Sequence, residues 1–365
     1  MKFAMYNHKI ISTQLAKGHL RYKCPFCGKR MVYHNSTNHH SAYFSHVLTD
    51  NSFNNPGETS EHLAGKQQLY QFFKTKDNSV VIEKYLPKIN QWPDLMVNNT
   101  VIEFQCSPIS VQKLRQIIAG YTSLGIKSWW ILGSPYQKRR LRPKYIAKFL
   151  NYSSRLGFFM LYWKISQKCL EIHYQQCECG SRIFYRTRRI FTYAELINFI
   201  NYTRIKSRAI TYSRWLGLVS HEIHVNQQRL FHGDLQIMRI QQMLGTRHNT
   251  IMGCPIICHL PVYTYPIFKK RYLLWRILIL LLMNKYSDLQ KIYQVANSKL
   301  VLPLSFCQIN NYQSLYKRAF DKYVALLIQH HYLEVSPDHK KITRFKQPRW
   351  FNSYYDKIQY LKRHR

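Results

Sequence analysis

The stretch that decides the fold reads Trp92-Pro93-Asp94-Leu95-Met96-Val97-Asn98-Asn99-Thr100-Val101-Ile102-Glu103-Phe104-Gln105-Cys106. Two β-rich runs, Asp94 to Val97 and Thr100 to Cys106, flank Asn98-Asn99, a pair suited to a two-residue hairpin loop. With that loop Val97 pairs with Thr100, and Asp94 comes to lie opposite Glu103. Opposed residues project to one face with Cβ atoms about 5 Å apart, so two carboxylates placed there repel unless a cation joins them. Period two puts Gln105 on the face of Glu103. It sends Ile102, Phe104 and Cys106 to the other face, where a helix can pack. A slip of one residue would undo the pairing. Hard divalent cations take such oxygen ligands, and Mg²⁺ needs only one or two carboxylates besides waters or phosphate oxygens. Bound there, it can activate water for phosphodiester displacement. The plain alternative is a solvated polar strand face.

Working outward, Thr59-Ser60-Glu61 opens a helix expected to reach about Lys76, with Leu63, Leu69, Phe72 and Phe73 as its apolar stripe. Ser79 to Leu86 is a strand candidate. Ser110 is placed to N-cap a helix ending near Leu124-Gly125, and Ser128 to Leu132 is a short apolar strand that stops at Gly133. The expected order is αβββαβ. Upstream, Cys24-Pro25-Phe26-Cys27 is followed by His40 and His46 at the spacing of a tetrahedral Cys2His2 zinc site, with His39 competing for the place of His40. Asn35 to Asn38 reads as a turn, so no DNA-reading helix is expected there and the module is taken as structural. Asn51 to Gly57 reads as a linker.

The whole chain is strongly basic. Its 365 residues carry 54 Lys+Arg against 17 Asp+Glu, a formal charge of +37, which calls for a polyanionic partner. Disorder is excluded by 46% hydrophobic residues and by 28 Tyr, 19 Phe and 7 Trp. No acid occurs between Phe104 and Leu170. Lys138-Arg139-Arg140 and Arg142-Pro143-Lys144 follow the last strand, a second run from Arg182 to Arg189 is interleaved with Phe184 and Tyr185, and Arg204, Lys206, Arg208 and Arg214 follow with Tyr202, Tyr212 and Trp215. Interleaved rings and cations suit single-stranded or partly melted DNA better than major-groove readout. The Met1 to Lys17 segment lacks the apolar run of a signal peptide. Tyr272 to Met283, interrupted by Arg276, is too short to span a bilayer and reads as a buried helix. Nine Cys, an odd number, point to reduced thiols in the cytoplasm. Cys169 with Cys177 and Cys179, and Cys254 with Cys258 and His259, read as buried thiols.

Trp92-Pro93-Asp94 followed by Val101-Ile102-Glu103-Phe104-Gln105-Cys106-Ser107 resembles the PD-(D/E)xK nuclease motif. Together with Cys24-Pro25-Phe26-Cys27 and Glu61-His62-Leu63-Ala64-Gly65-Lys66, it is similar to the competence protein CoiA family over roughly residues 20 to 165. The resemblance implies a restriction-endonuclease-like α/β core, here 55–165, after a zinc-ribbon-like module at 1–54 and before a basic, mostly helical domain at 166–365. It implies that Asp94 and Glu103 hold Mg²⁺ or Mn²⁺, with the Phe104 carbonyl as a third ligand, and that Glu61 completes or relays to that shell. Gln105 stands where many such nucleases carry Lys. Gln can orient a water but cannot carry charge, and Lys66 and Lys113 are the candidate replacements. The family also has His where this chain has Tyr43, which makes His46 the firmer zinc ligand. By resemblance the function is metal-dependent DNA processing in natural transformation, on incoming DNA at the recombination stage and alongside other recombination proteins. A catalytically inactive DNA-binding scaffold and an RNA-binding protein are the other readings.

Overall fold

The computed structural model describes residues 3–7, 9–23, 30–37, 42–46, 60–75, 78–137, 146–179, 182–205, 208–245, 248–267, 271–300, 306–309 and 311–364. Cys24, Cys27, His39 and His40 lie outside the described residues, and His46 enters only through its backbone. The elements in chain order are β1 (Phe3–Tyr6), β2 (Lys9–Ser12), β3 (Tyr22–Lys23), β4 (Arg30–His34), β5 (Tyr43–His46), α1 (Ser60–Phe73), β6 (Val80–Ile82), β7 (Leu95–Val97), β8 (Thr100–Gln105), α2 (Val111–Ser123), β9 (Lys127–Leu132), α3 (Ser134–Gln137), β10 (Asn151–Ser153), β11 (Gly157–Lys164), β12 (Cys169–Cys179), β13 (Arg182–Ile190), α4 (Tyr193–Tyr202), α5 (Tyr212–Phe231), α6 (Leu235–Gly245), α7 (Tyr272–Met283), α8 (Leu289–Leu300), α9 (Tyr312–Gln329), β14 (Leu333–Val335), β15 (Ile342–Phe345) and α10 (Tyr354–Arg363).

The chain divides into two units. The first comprises 1–140, 160–172 and 187–201; the second comprises 141–159, 173–186 and 202–365. The first unit opens with a five-stranded sheet in the order β2-β1-β3-β4-β5, closed over Ala4, Tyr22, Met31 and Phe44. The larger sheet has the order β13-β12-β11-β9-β8-β7-β6, with β10 beside β11. Its strands β6, β7 and β8 are antiparallel. β8 and β9 are parallel, as their connection through α2 requires.

β8 has neighbours on both edges and cover on both faces. The ring of Phe104 fills the space over Gly65 of α1, where an added Cβ would lie 2.0 Å from Cε1. On the opposite face Val101 packs with Leu86, Tyr121 and Ile126, so α2 covers that side. α2 starts where Ser110 accepts the Lys113 N–H at 3.1 Å, an N-cap side-chain bond. α1 is shorter than its apolar pattern allows. It stops at Phe73, whose carbonyl is taken by Asn78 Nδ2 at 3.2 Å.

In the second unit α7 has every residue buried, as expected of a helix that is apolar all round. Arg276, its one cation, donates from Nη1 to the Cys258 carbonyl and from Nη2 to the Pro261 carbonyl, and lies over the Tyr272 ring. No helix among the described residues is long and apolar enough to cross a membrane. The residues beyond 165 depart from helical expectation at their start. Cys169 to Cys179 and Arg182 to Ile190 are long strands, and helices dominate only from α4 onward.

Candidate active site

The hairpin adopts the expected register: Val97 faces Thr100, Met96 faces Val101 and Leu95 faces Ile102. Asn98 takes a positive φ of 51°, a left-handed conformation that Asn tolerates better than most residues. Asp94 therefore stands one step before β7, level with Glu103 on β8.

Asp94 is held from several sides. Its Oδ2 accepts the Phe104 N–H at 2.8 Å, while its Oδ1 meets His62 Nε2 at 2.9 Å and Lys66 Nζ at 3.4 Å. His62 and Lys66 are four residues apart on α1, hence on one helix face. Lys66 is 5% exposed and also donates to Glu83 Oε1 at 2.8 Å. Burial opposes ionisation of Asp94, but His62, Lys66 and the Phe104 N–H outweigh it and hold the carboxyl well below its usual range.

Glu103 has the opposite state. Burial and then the charge of Asp94 push its pKa up to about 8, against the hydrogen bond donated by the Tyr121 hydroxyl from α2. The two carboxyls are thus shifted in opposite directions, Asp94 toward its charged form and Glu103 toward its neutral one. Tyr121 itself is driven far above a phenol's usual value by burial and by Glu103.

The remaining candidates are placed differently. Glu61 accepts from the Ser134 backbone N–H at 2.7 Å and from the Ser134 hydroxyl at 2.8 Å, beside Gly133 and Cys106. It thus ties α1 to the end of β9, and no direct contact joins it to Asp94 or Glu103 among those resolved. Gln105 donates Nε2 to the Ser107 carbonyl at 2.6 Å and to its hydroxyl at 3.2 Å. Lys113 is exposed on the first turn of α2. The structure brings together Asp94, Glu103, His62 and Lys66, and adds Glu83 and Tyr121, which sequence reasoning missed. Among the described residues no three His, Cys, Asp or Glu side chains are grouped as a metal-holding set. The chemistry of the Asp94–Glu103 pair nevertheless fits a hard dication: Glu103 is protonated in part because Asp94 is charged, and a cation between them removes that penalty.

The basic, aromatic stretch sorts into exposed and committed residues. β13 exposes Arg182, Tyr185, Arg188 and Arg189. Tyr185 stacks on His173 at 4.3 Å between ring centroids, and Tyr202 is 81% exposed. Arg189 and Lys164 both reach the buried carboxylate of Glu171. Trp215 is buried in a cluster with Val219, Ile223, Ile358 and Leu361, and Tyr212 donates its hydroxyl to the Leu361 carbonyl. Phe184 lies against Tyr263 and under Arg214. Tyr185 and Tyr202 are therefore the exposed rings of this set; Trp215 is core and Tyr212 is half-buried against it.

Residues 58–217 match the family described as competence protein CoiA, nuclease-like domain. A curated relative, the competence protein CoiA of Bacillus subtilis (strain 168), is 31% identical over 124 residues, which is 33% of this chain and 33% of that protein. The match thus spans about a third of the relative's length. No solved structure matches the chain.

Proposed function

We propose, from the match of residues 58–217 to the competence protein CoiA nuclease-like domain, that this chain is a metal-dependent deoxyribonuclease acting in natural transformation. Its substrate would be incoming DNA, single-stranded or in recombination intermediates, in the cytoplasm. The observation that carries the reading is the placement of Asp94 level with Glu103, with Lys66 and His62 against Asp94 and the Tyr121 hydroxyl on Glu103; these surroundings push the Asp94 carboxyl down and the Glu103 carboxyl up. Such a pair of groups with opposed pKa shifts is the usual mark of a site built for proton or cation chemistry.

Asp94 and Glu103 would hold Mg²⁺ or Mn²⁺, with the Phe104 carbonyl nearby as a further oxygen. When bound, the cation supplies an activated water and charge stabilisation at the phosphodiester. The chain's own residues do the rest. Lys66 holds the Asp94 carboxylate in place and supplies the cation that Gln105 lacks. His62 orients the same oxygen of Asp94 and carries a proton at Nε2 within reach of it. Tyr121 fixes Glu103. Glu61 acts through Ser134, positioning the end of β9. The positive charge of β13 and the exposed rings of Tyr185 and Tyr202 suit a DNA strand. Cys24, Cys27, His40 and His46 are carried forward as the ligands of a structural Zn²⁺, to be checked by the zinc content of the purified chain and of Cys24→Ser.

The test is a cleavage assay with Mg²⁺ or Mn²⁺ on single-stranded, double-stranded and branched DNA. Asp94→Ala and Glu103→Ala should each lower cleavage by about a hundredfold or more, an effect typical of losing a metal-holding group, with DNA binding retained. Equal cleavage by wild type and the double variant contradicts the assignment. One observation favours a second reading, a DNA-binding recombination factor on an inactive nuclease scaffold: Gln105 is bonded to Ser107, and Lys66 is shared between two acids. Metal binding without turnover would select it. Competition by RNA as effective as by single-stranded DNA would select an RNA-binding role.

A further inference from the structure

The second unit contains a buried cluster with no part in the chemistry above. Cys254 and Cys258 flank a tight turn in which the Cys258 N–H bonds the Pro255 carbonyl, and both are fully buried. The two thiol groups hydrogen-bond to each other. Lys357, from α10 and also fully buried, donates to Cys254 Sγ at 3.3 Å and lies 3.3 Å from His259 Nε2. His259 Nε2 is 3.6 Å from Cys254 Sγ, and its Nδ1 meets Glu222 Oε2 of α5 at 2.9 Å. The Tyr323 hydroxyl of α9 faces Cys258 Sγ at 3.9 Å.

A core that needed only apolar filling would not spend a buried lysine, a histidine and a glutamate on one sulfur, since each costs desolvation. We propose that Cys254 and Cys258 are a redox-active dithiol, with Cys254 as the reacting sulfur activated by Lys357 and the His259–Glu222 pair. The oxidant is a small hydroperoxide. The geometry also orders the two sulfurs. Burial works against the Cys254 thiolate, but the bond from Cys258 and the charges of Lys357 and His259 bring its pKa well below the usual thiol value. Burial and the neighbouring Cys254 raise Cys258. A thiolate beside a thiol is the arrangement that forms a disulfide through a sulfenic acid. A pocket of about 20 Å³ lined by His259, Glu222, Cys179, Thr264 and Arg276 leaves room for a water-sized molecule at the imidazole, whose Nε2 is 3.6 Å from Cys254 Sγ.

The steps balance. The Cys254 sulfur attacks one oxygen of hydrogen peroxide and the O–O bond breaks. The departing oxygen takes a proton from Lys357 and leaves as water, and Cys254 becomes a sulfenic acid. The Cys258 sulfur then attacks that sulfur. The S–O bond breaks, the hydroxyl leaves as water with the Cys258 proton, and the S–S bond forms. Two thiols lose two electrons and one peroxide becomes two waters. The cluster ends without the thiolate and without the ammonium charge that faced it.

The full-length chain, reduced and then exposed to limiting hydrogen peroxide, is quenched, alkylated under denaturing conditions and mapped. Cys254 and Cys258 fall in one tryptic segment, His248 to Lys269, so the disulfide reads as an unalkylated segment that regains both labels after reduction. The expected result is oxidation of this pair about tenfold faster than of Cys177, which is more exposed but whose thiol is pushed up to about 11 by burial. Lys357→Met should slow the pair's oxidation by about tenfold, and Cys258→Ser should stop at a dimedone-trappable sulfenic acid on Cys254. If Cys177 oxidises while the pair stays reduced, or if Lys357→Met oxidises at the wild-type rate, the proposal is overturned. Should Lys357→Met not fold, the wild-type map decides by itself.

Discussion

Two buried charge clusters stand out in this protein, one in each unit, and they are balanced in different ways. Around Cys254 the charges cancel: Lys357 and His259 face a thiolate and Glu222. Around Asp94 they do not. Lys66 and His62 face Asp94 and Glu83, and Glu103 is left to solve the excess by keeping its proton, with its pKa pushed up to about 8. A self-neutralised cluster leaves no surplus charge for a cation to balance. A cluster with a surplus acid is one cation short, which is what a metal-dependent centre needs from its protein before the metal arrives.

The comparison can be broken most severely at Lys66. Lys66→Met leaves the half-buried Asp94 and Glu83 without their shared cation and should cost about 3–5 kcal/mol, read from denaturant midpoints. A loss under 1 kcal/mol would mean that the acids are solvated and the surplus-charge account is wrong. Next comes Gly65→Ala. The added methyl meets the Phe104 ring, and overpacking of this kind costs about 1–3 kcal/mol. It should also lower cleavage, because Phe104 carries the N–H that holds Asp94.

A pH series sharpens the same point. The folded-state pKa of Glu103 lies above its unfolded value of 4.5, at about 8. The stability contributed by the neutral carboxyl is complete below pH 4.5 and is lost as pH rises to about 8. Glu103→Gln stays neutral throughout. The melting temperature of the variant minus that of wild type should therefore climb by several degrees between pH 5 and 8 and level off above, a size typical of a few kcal/mol. A flat difference would show that Glu103 ionises normally. The smallest effect belongs to β13. Arg188→Ala should weaken single-stranded DNA binding evenly across sequences and lower the salt slope by about one contact or less, measured by titration at several salt concentrations.

The hairpin was legible in the sequence because its information is local: Asn98-Asn99 sets the loop, and period two then fixes which residues face one another. The pairing of Asp94 with Glu103 follows from that, and the Ser110 cap is local in its own right, a capping residue directly before a helix. Tyr121 and Ser134 were not legible, because they reach Glu103 and Glu61 from 18 and 73 residues away and no local pattern announces such partners. Glu83 was hidden in a run read as continuous strand, where the chain instead turns through a positive φ of 50°. β12 and β13 were hidden by charge. Arg182 to Ile190 carries four Arg and no strict alternation of exposed and buried positions, so it reads as a basic surface run, and Cys169 to Cys179, mostly buried, lacks the polar alternation that marks a half-exposed strand. Trp215 and the half-buried Tyr212 stand among the cations of a basic run, and sequence alone cannot tell an aromatic on the open face of such a helix from one on its packed face.

The central claim is that the Asp94–Glu103 pair is a cation site held open by a proton. Calorimetric titration with Mg²⁺ or Mn²⁺ at pH 7, in two buffers of different ionisation enthalpy, tests it most directly. The account predicts binding with release of about one proton per chain, a release that disappears in Glu103→Gln and binding that disappears in Asp94→Ala. Binding that releases no proton, or that persists unchanged in Asp94→Ala, would contradict it.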